Sequence, residues 1–126
     1  MTHRNIKAYQ RALVLVQDIR KSTQRVGLDH PTLDQIIRSS LSITANIAEG
    51  AGRQGAKERA HFYNIARASV LETYSHFEVI APERKVDPQK LSRWMLELEE
   101  LSKMLFGLMR RQMECLPNRN ADKPMG

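Results

Sequence analysis

The sequence predicts an all-α fold: an antiparallel up-down-up-down four-helix bundle, assembled as a homo-oligomer. Two observations predict the bundle. Four segments carry apolar residues at helical spacing, and short links rich in Gly, Pro and Asp separate them. A third predicts the assembly: three of the segments carry more apolar surface than one core stripe needs.

The first helix is expected over about 5–26, with Tyr9, Ala12, Leu13, Val16 and Ile19 on one face. Gly27 and the turn through Asp29, His30 and Pro31 end it. The second is expected over about 32–49, opened by a capping box at Thr32-Leu33-Asp34-Gln35. Its apolar face is Leu33, Ile36, Ile37, Ser40, Ile43 and Ile47, and Gly50 is expected to supply a left-handed cap. The third is expected over about 56–81, with Phe62, Ile65, Ala66, Ser69, Thr73, Phe77 and Ile80 inward and Pro82 closing it. Asp87-Pro88 then gives an N-cap followed by proline at the first helical position. The fourth is expected over about 88–116, facing inward with Leu91, Trp94, Met95, Leu98, Leu101, Leu105, Leu108 and Met109. Pro117 ends it, and 118–126 reads as a polar, frayed tail. Short links favour antiparallel neighbours within one domain over 1–117.

Composition bounds the function. The chain has 126 residues, 41% of them hydrophobic, which suits one packed core. No apolar run approaches the roughly 18 residues of a membrane span, and Met1-Thr2-His3-Arg4-Asn5 does not read as a signal peptide. The single cysteine, Cys115, cannot form an intrachain disulfide and fits a reducing, cytoplasmic setting. The net charge of +6 permits contact with RNA or DNA without requiring it.

Gly50-Ala51-Gly52-Arg53-Gln54-Gly55 spells the dinucleotide-binding pattern G-x-G-x-x-G. The helical spacing from Leu33 to Ile47 is too long for a strand, and no further strand accompanies it. The acidic residue about 20 positions on, Glu72, lies inside a helical pattern. The glycines are therefore expected to make a tight turn between helices, and no cofactor is predicted.

Glu58 and His61 form a lone Glu-x-x-His, whereas di-iron bundles need two such motifs and further glutamates. Glu72 and His76 stand four apart without a second pair, so no metal is predicted. Ser69, on an apolar face, suits close helix packing better than nucleophilic chemistry, and no convergent catalytic set appears. A non-enzymatic protein is expected.

Basic residues spread along Arg4, Lys7, Arg11, Arg20, Lys21 and Arg25, with Arg53, Lys57 and Arg59 at the second turn. They are the candidate nucleic-acid contacts, although no aromatic stacking platform accompanies them. Apolar residues off the core stripes are the interface candidates: Val14 and Leu15; Tyr63, Leu71 and Tyr74; Leu96, Met104 and Phe106.

Ser42-Ile43-Thr44-Ala45-Asn46-Ile47-Ala48-Glu49-Gly50, followed by Gly52-Arg53, resembles the central signature of a bacterial four-helix-bundle family. Its members were first noticed as proteins encoded by intervening sequences inside large-subunit ribosomal RNA genes. Glu58, Phe62, Ala66, Arg67, Ser69 and Glu72 resemble its second motif, and Tyr9 to Leu13 with Gln35 and Arg38 are similar as well. Thr44 stands where the family usually has proline, and Ala68 where it usually has glycine. The resemblance implies a ring-like homopentamer of poorly defined function. A related branch, the accessory proteins of diversity-generating retroelements, implies a reverse transcriptase and nucleic acid as alternative partners. Asn46, Glu49, Gly50, Gly52, Arg53, Glu58 and Glu72 are expected to form a polar cluster that fixes the turn or the assembly, with Asn46 bonding backbone groups near the helix end.

Overall fold

The computed structural model describes residues 2–114 and 116. Cys115, Pro117 and the expected tail lie outside the described residues. After a 3-10 turn at Thr2–Asn5, the four helices are α1 (Lys7–Thr23), α2 (His30–Ala51), α3 (Ala56–Ile80) and α4 (Pro88–Glu114). A second 3-10 turn, Ala81–Glu83, extends α3. Among the described residues there is no strand.

Cross-helix pairs fix the topology. Ser39 meets Thr73 and Ser42 meets Ser69, so numbers rise along α2 as they fall along α3. Arg59 with Gln112, Arg67 with Ser102 and Tyr74 with Glu99 set α3 against α4 in the same antiparallel sense. Asp18 with Trp94 and Ser22 with Lys90 do so for α1 and α4. The α2–α3 and α3–α4 seams are extensive, whereas α1 packs more sparsely on its neighbours.

Local chemistry sets each boundary. Gly27 turns the chain within the first link at φ 80°, where a side chain would be strained. The expected capping box is not used: Asp29 is the N-cap of α2, and its Oδ2 accepts from Thr32 N at 3.0 Å and Thr32 Oγ1 at 2.8 Å. Pro31 then falls in the first turn, where its missing N–H costs nothing. Asp87 opens α4 as expected, its side chain accepting from Gln89 N at 3.2 Å.

The core joins Ile19, Ile36, Ile43, Ile47, Ala66, Phe77, Leu98, Leu101 and Leu105, all fully buried. Phe77 and Trp94 pack at 5.5 Å between centroids. Two faces, those of α1 and α3, sit rotated from the expected stripes. Leu15 and Tyr63, expected at a subunit interface, are core residues, 5% and 3% exposed. Val70 is buried as well, whereas Leu13 stands at the surface. The cause is packing on two sides. α3 contacts both α2 and α4, so its buried arc spans Ser69 and Thr73 on one edge and Tyr63 and Val70 on the other.

Candidate functional site

The polar residues of the second link converge where α2 hands over to α3. Gly50 is not the left-handed cap. It lies inside the last turn of α2, which closes at Gly52 with φ −83°. A Cβ on Gly50 would lie 2.9 Å from Tyr63 Cε1 and 3.0 Å from Phe62 Cβ, so glycine is required for close helix contact. A Cβ on Gly52 would meet only the carbonyl oxygens of Ala48 and Glu49 at 3.7 Å, an ordinary contact. The G-x-G-x-x-G string is thus a packing glycine followed by a link, without the strand that a dinucleotide site needs.

Arg53 anchors this link. Its guanidinium pairs with Glu49 one turn back, lies 3.9 Å from Glu58, and stacks 4.8 Å above the Phe62 ring. Arg59 fixes it from the other side. It donates to the carbonyls of Arg53 at 3.1 Å and Gln54 at 2.6 Å, and to Gln112 Oε1 at 2.7 Å. One side chain thereby satisfies two loop carbonyls and ties them to α4. Among the described residues, nothing in the periodicity marks Arg59 for this; only its place one turn into α3 hints at it.

Asn46 sits differently from expectation. It does not serve the helix terminus. Its Nδ2 donates to Ser42 O at 2.8 Å and Ser42 Oγ at 2.9 Å. Ser42 Oγ lies 2.8 Å from Ser69 Oγ, and Ser39 Oγ lies 2.8 Å from Thr73 Oγ1. Asn46, Ser42, Ser69, Ser39 and Thr73 therefore form a hydrogen-bonded seam between α2 and α3. Glu72 stands farther along, 3.6 Å from His76 Nε2, a buried nitrogen with no hydrogen-bond partner. His61 packs edge-on against Phe62 at 5.4 Å, away from the Glu72–His76 pair. Among the described residues, no three His, Cys, Asp or Glu side chains come together as a metal-binding group.

The basic residues divide into two sets. Arg11, Arg53 and Arg59 are engaged internally, Arg11 through paired bonds to Glu97 at 2.6 and 3.0 Å. The Glu97 bond, and then the nearby carboxylates of Glu97 and Glu100, hold the Arg11 pKa above its ordinary value against the opposing effect of burial. Arg4, Lys7, Arg20, Lys21, Arg25 and Lys57 are exposed.

The remaining interface candidates divide by seam. Leu71 and Leu96 flank hollows between α3 and α4, 54% and 62% exposed, beside Tyr74 and Glu99. Tyr74 Oη donates to Glu99 at 3.1 Å, which raises the tyrosine pKa. Phe106, 41% exposed, lies under the Arg67 guanidinium at 5.1 Å. Val14 and Met104 belong to the α1–α4 seam instead.

Four antiparallel helices, a polar α2–α3 seam and apolar outer grooves define a small all-α four-helix bundle. Residues 4–107 match the family described as 23S rRNA-intervening sequence protein, and the chain belongs to it. A solved structure from Bacteroides thetaiotaomicron VPI-5482, described as a protein of unknown function from the S23 ribosomal protein family, has a similar fold. It is 20% identical, with a TM-score of 0.72 over 82% of this chain and 98% of that one. No curated protein matches the sequence.

Proposed function

We propose that this protein is a non-enzymatic assembly module that associates with copies of itself through the α3–α4 face. The observation that carries the proposal is that face itself. Leu71 and Leu96 are more than half exposed on it and Phe106 partly so, with Tyr74 at its border. Several exposed apolar side chains of this size on one face mark a surface that becomes covered. A ring of five is the arrangement that the family resemblance implies, in a cytoplasm whose reducing conditions suit a chain with one cysteine. Light scattering on L71D/L96D tests the face. The substitutions should split the assembly to single chains while leaving helical circular dichroism unchanged. An assembly that survives them would refute it.

A second reading is favoured by one observation. Arg4, Lys7, Arg20, Lys21 and Arg25 make no side-chain hydrogen bond or ion pair among the described residues. Unpaired cations on one helix and its lead-in suit an accessory protein that binds RNA or DNA, with a reverse transcriptase as the kind of partner that the retroelement branch would imply. Binding that weakens steeply with salt is the expected signature. Failure to bind at low salt would dismiss it.

A further inference from the structure

The seam between α1 and α4 lies apart from the α3–α4 face and leaves part of its apolar lining open. Two hollows lie along it. One of about 520 Å³ is floored by Val14, Leu15 and Trp94. The other, about 450 Å³, is floored by Ile6, Met104 and Leu108. Arg11 stands between them, donating to Met104 Sδ at 3.5 Å and to Glu97. From Asn5 in the lead-in turn to Asp18 in α1 the lined stretch runs roughly 20 Å at helical rise.

The charges along this groove are unequal in availability. Its carboxylates are engaged: Asp18 accepts from Trp94 Nε1 at 2.7 Å and Ser22 Oγ at 3.2 Å, and Glu97 is held by Arg11. Its remaining cations, Lys7, Arg93 and Arg111, make no side-chain hydrogen bond or ion pair among the described residues. An apolar trough bordered by uncommitted cations calls for an occupant that carries apolar side chains between carboxylates.

We infer that the α1–α4 groove docks an acidic amphipathic helix of a partner protein, its leucine-like side chains in the two hollows and its carboxylates on Lys7, Arg93 and Arg111. The length suits about four turns of helix, the span over which anchors at i, i+3, i+4 and i+7 work. A nucleic-acid strand fits less well. Its bases need exposed aromatic faces, and the one aromatic ring in the groove floor, Trp94, is only 3% exposed.

Trp94 is the single tryptophan of the chain and lies in the floor, so its fluorescence reports on the groove directly. The probe is a designed helical peptide of about 16 residues with leucines on one face and glutamates on the others. It should shift the Trp94 emission on binding, and V14D/R93E should weaken binding by at least about tenfold. Val14 is 68% exposed, so the variant should keep its helicity; R93E alone replaces it if helicity falls. L71D/L96D, which tests self-association at the other face, should bind the peptide as the unaltered protein does.

Four results would each overturn the inference. The peptide does not bind up to about 1 mM. A shuffled peptide without a leucine face binds as well. Polyuridylate displaces the peptide and itself depends on Arg93. V14D/R93E dissociates the protein's own assembly, which would give the groove to a second copy. Loss of peptide binding alone would leave the α3–α4 assembly untouched.

Discussion

At residue scale, Gly50 separates two readings of one motif. A glycine needed for a turn tolerates change differently from one needed for contact. The Tyr63 ring is nearly enclosed and cannot retreat from a new side chain, so overpacking outweighs any gain in helix propensity. Gly50→Val should lower stability by about 2 kcal/mol or more, whereas Gly52→Ala should leave it within about 0.5 kcal/mol. Equal effects in urea denaturation would refute the packing role. Asp29 carries a pH signature. Bonds from the Thr32 side chain and backbone hold its pKa below the ordinary carboxylate value. A depressed carboxylate stabilises the fold above its unfolded pKa and loses that contribution as pH falls through the lower folded value. Asp29→Ala should therefore lower Tm at neutral pH and narrow the difference from the unaltered protein below about pH 4. A gap in Tm that stays constant down to pH 2 would contradict the cap.

These positions show where the sequence is readable. Proline and aspartate at helix starts announce themselves through backbone chemistry, and Asp87-Pro88 falls where expected. Asp29 does not stand out as the cap, because Thr32 with Gln35 forms an equally good local pattern, and only the three-dimensional start of α2 at His30 decides between them. Gly50 stands out in the sequence, but its neighbour Tyr63 lies thirteen residues away and across a link.

At element scale, helix existence follows from the period, whereas rotation about each helix axis does not. α3 is apolar or small over much of its circumference, so Tyr63 and Val70 compete with Phe62 and Ile65 for the core. Packing against two neighbours settles the competition. The polar seam has its own logic. Thr73 and Ser39 are buried, and their two hydroxyl protons serve three close contacts: Thr73 Oγ1 to Ser39 Oγ at 2.8 Å, Thr73 Oγ1 to Ser69 O at 2.8 Å and Ser39 Oγ to Ile36 O at 3.3 Å. Thr73→Val leaves the Ser39 hydroxyl with only its longer contact to Ile36 O and should cost about 1–3 kcal/mol. Replacing both partners removes the orphan, so S39A/T73V should cost less than the two single changes summed, a coupling that a double-mutant cycle in urea measures. Additive costs would mean that the seam hydroxyls act independently. Arg59→Ala should release the second link and the end of α4 together, read as faster hydrogen exchange at both. Faster exchange at the link alone would remove Gln112 from the account.

At the scale of the whole molecule, the outer surface is unevenly provisioned. The α2–α3 side is polar and internally bonded, α1 and its lead-in carry unengaged cations, and the α3–α4 side is apolar. The polar cluster at the second link is legible in the sequence through its resemblance, because its members lie close together along the chain. The grooves are not legible, since each is built from residues far apart in sequence whose faces are set by packing. That division of surfaces suits the proposed assembly module, which needs one face to meet its copies and others left for partners. Sedimentation velocity of the purified chain at micromolar concentration tests this most directly. A single species of two or more chains of 14.5 kDa is the expected result; a species that sediments as one 14.5 kDa chain under those conditions would contradict the assembly.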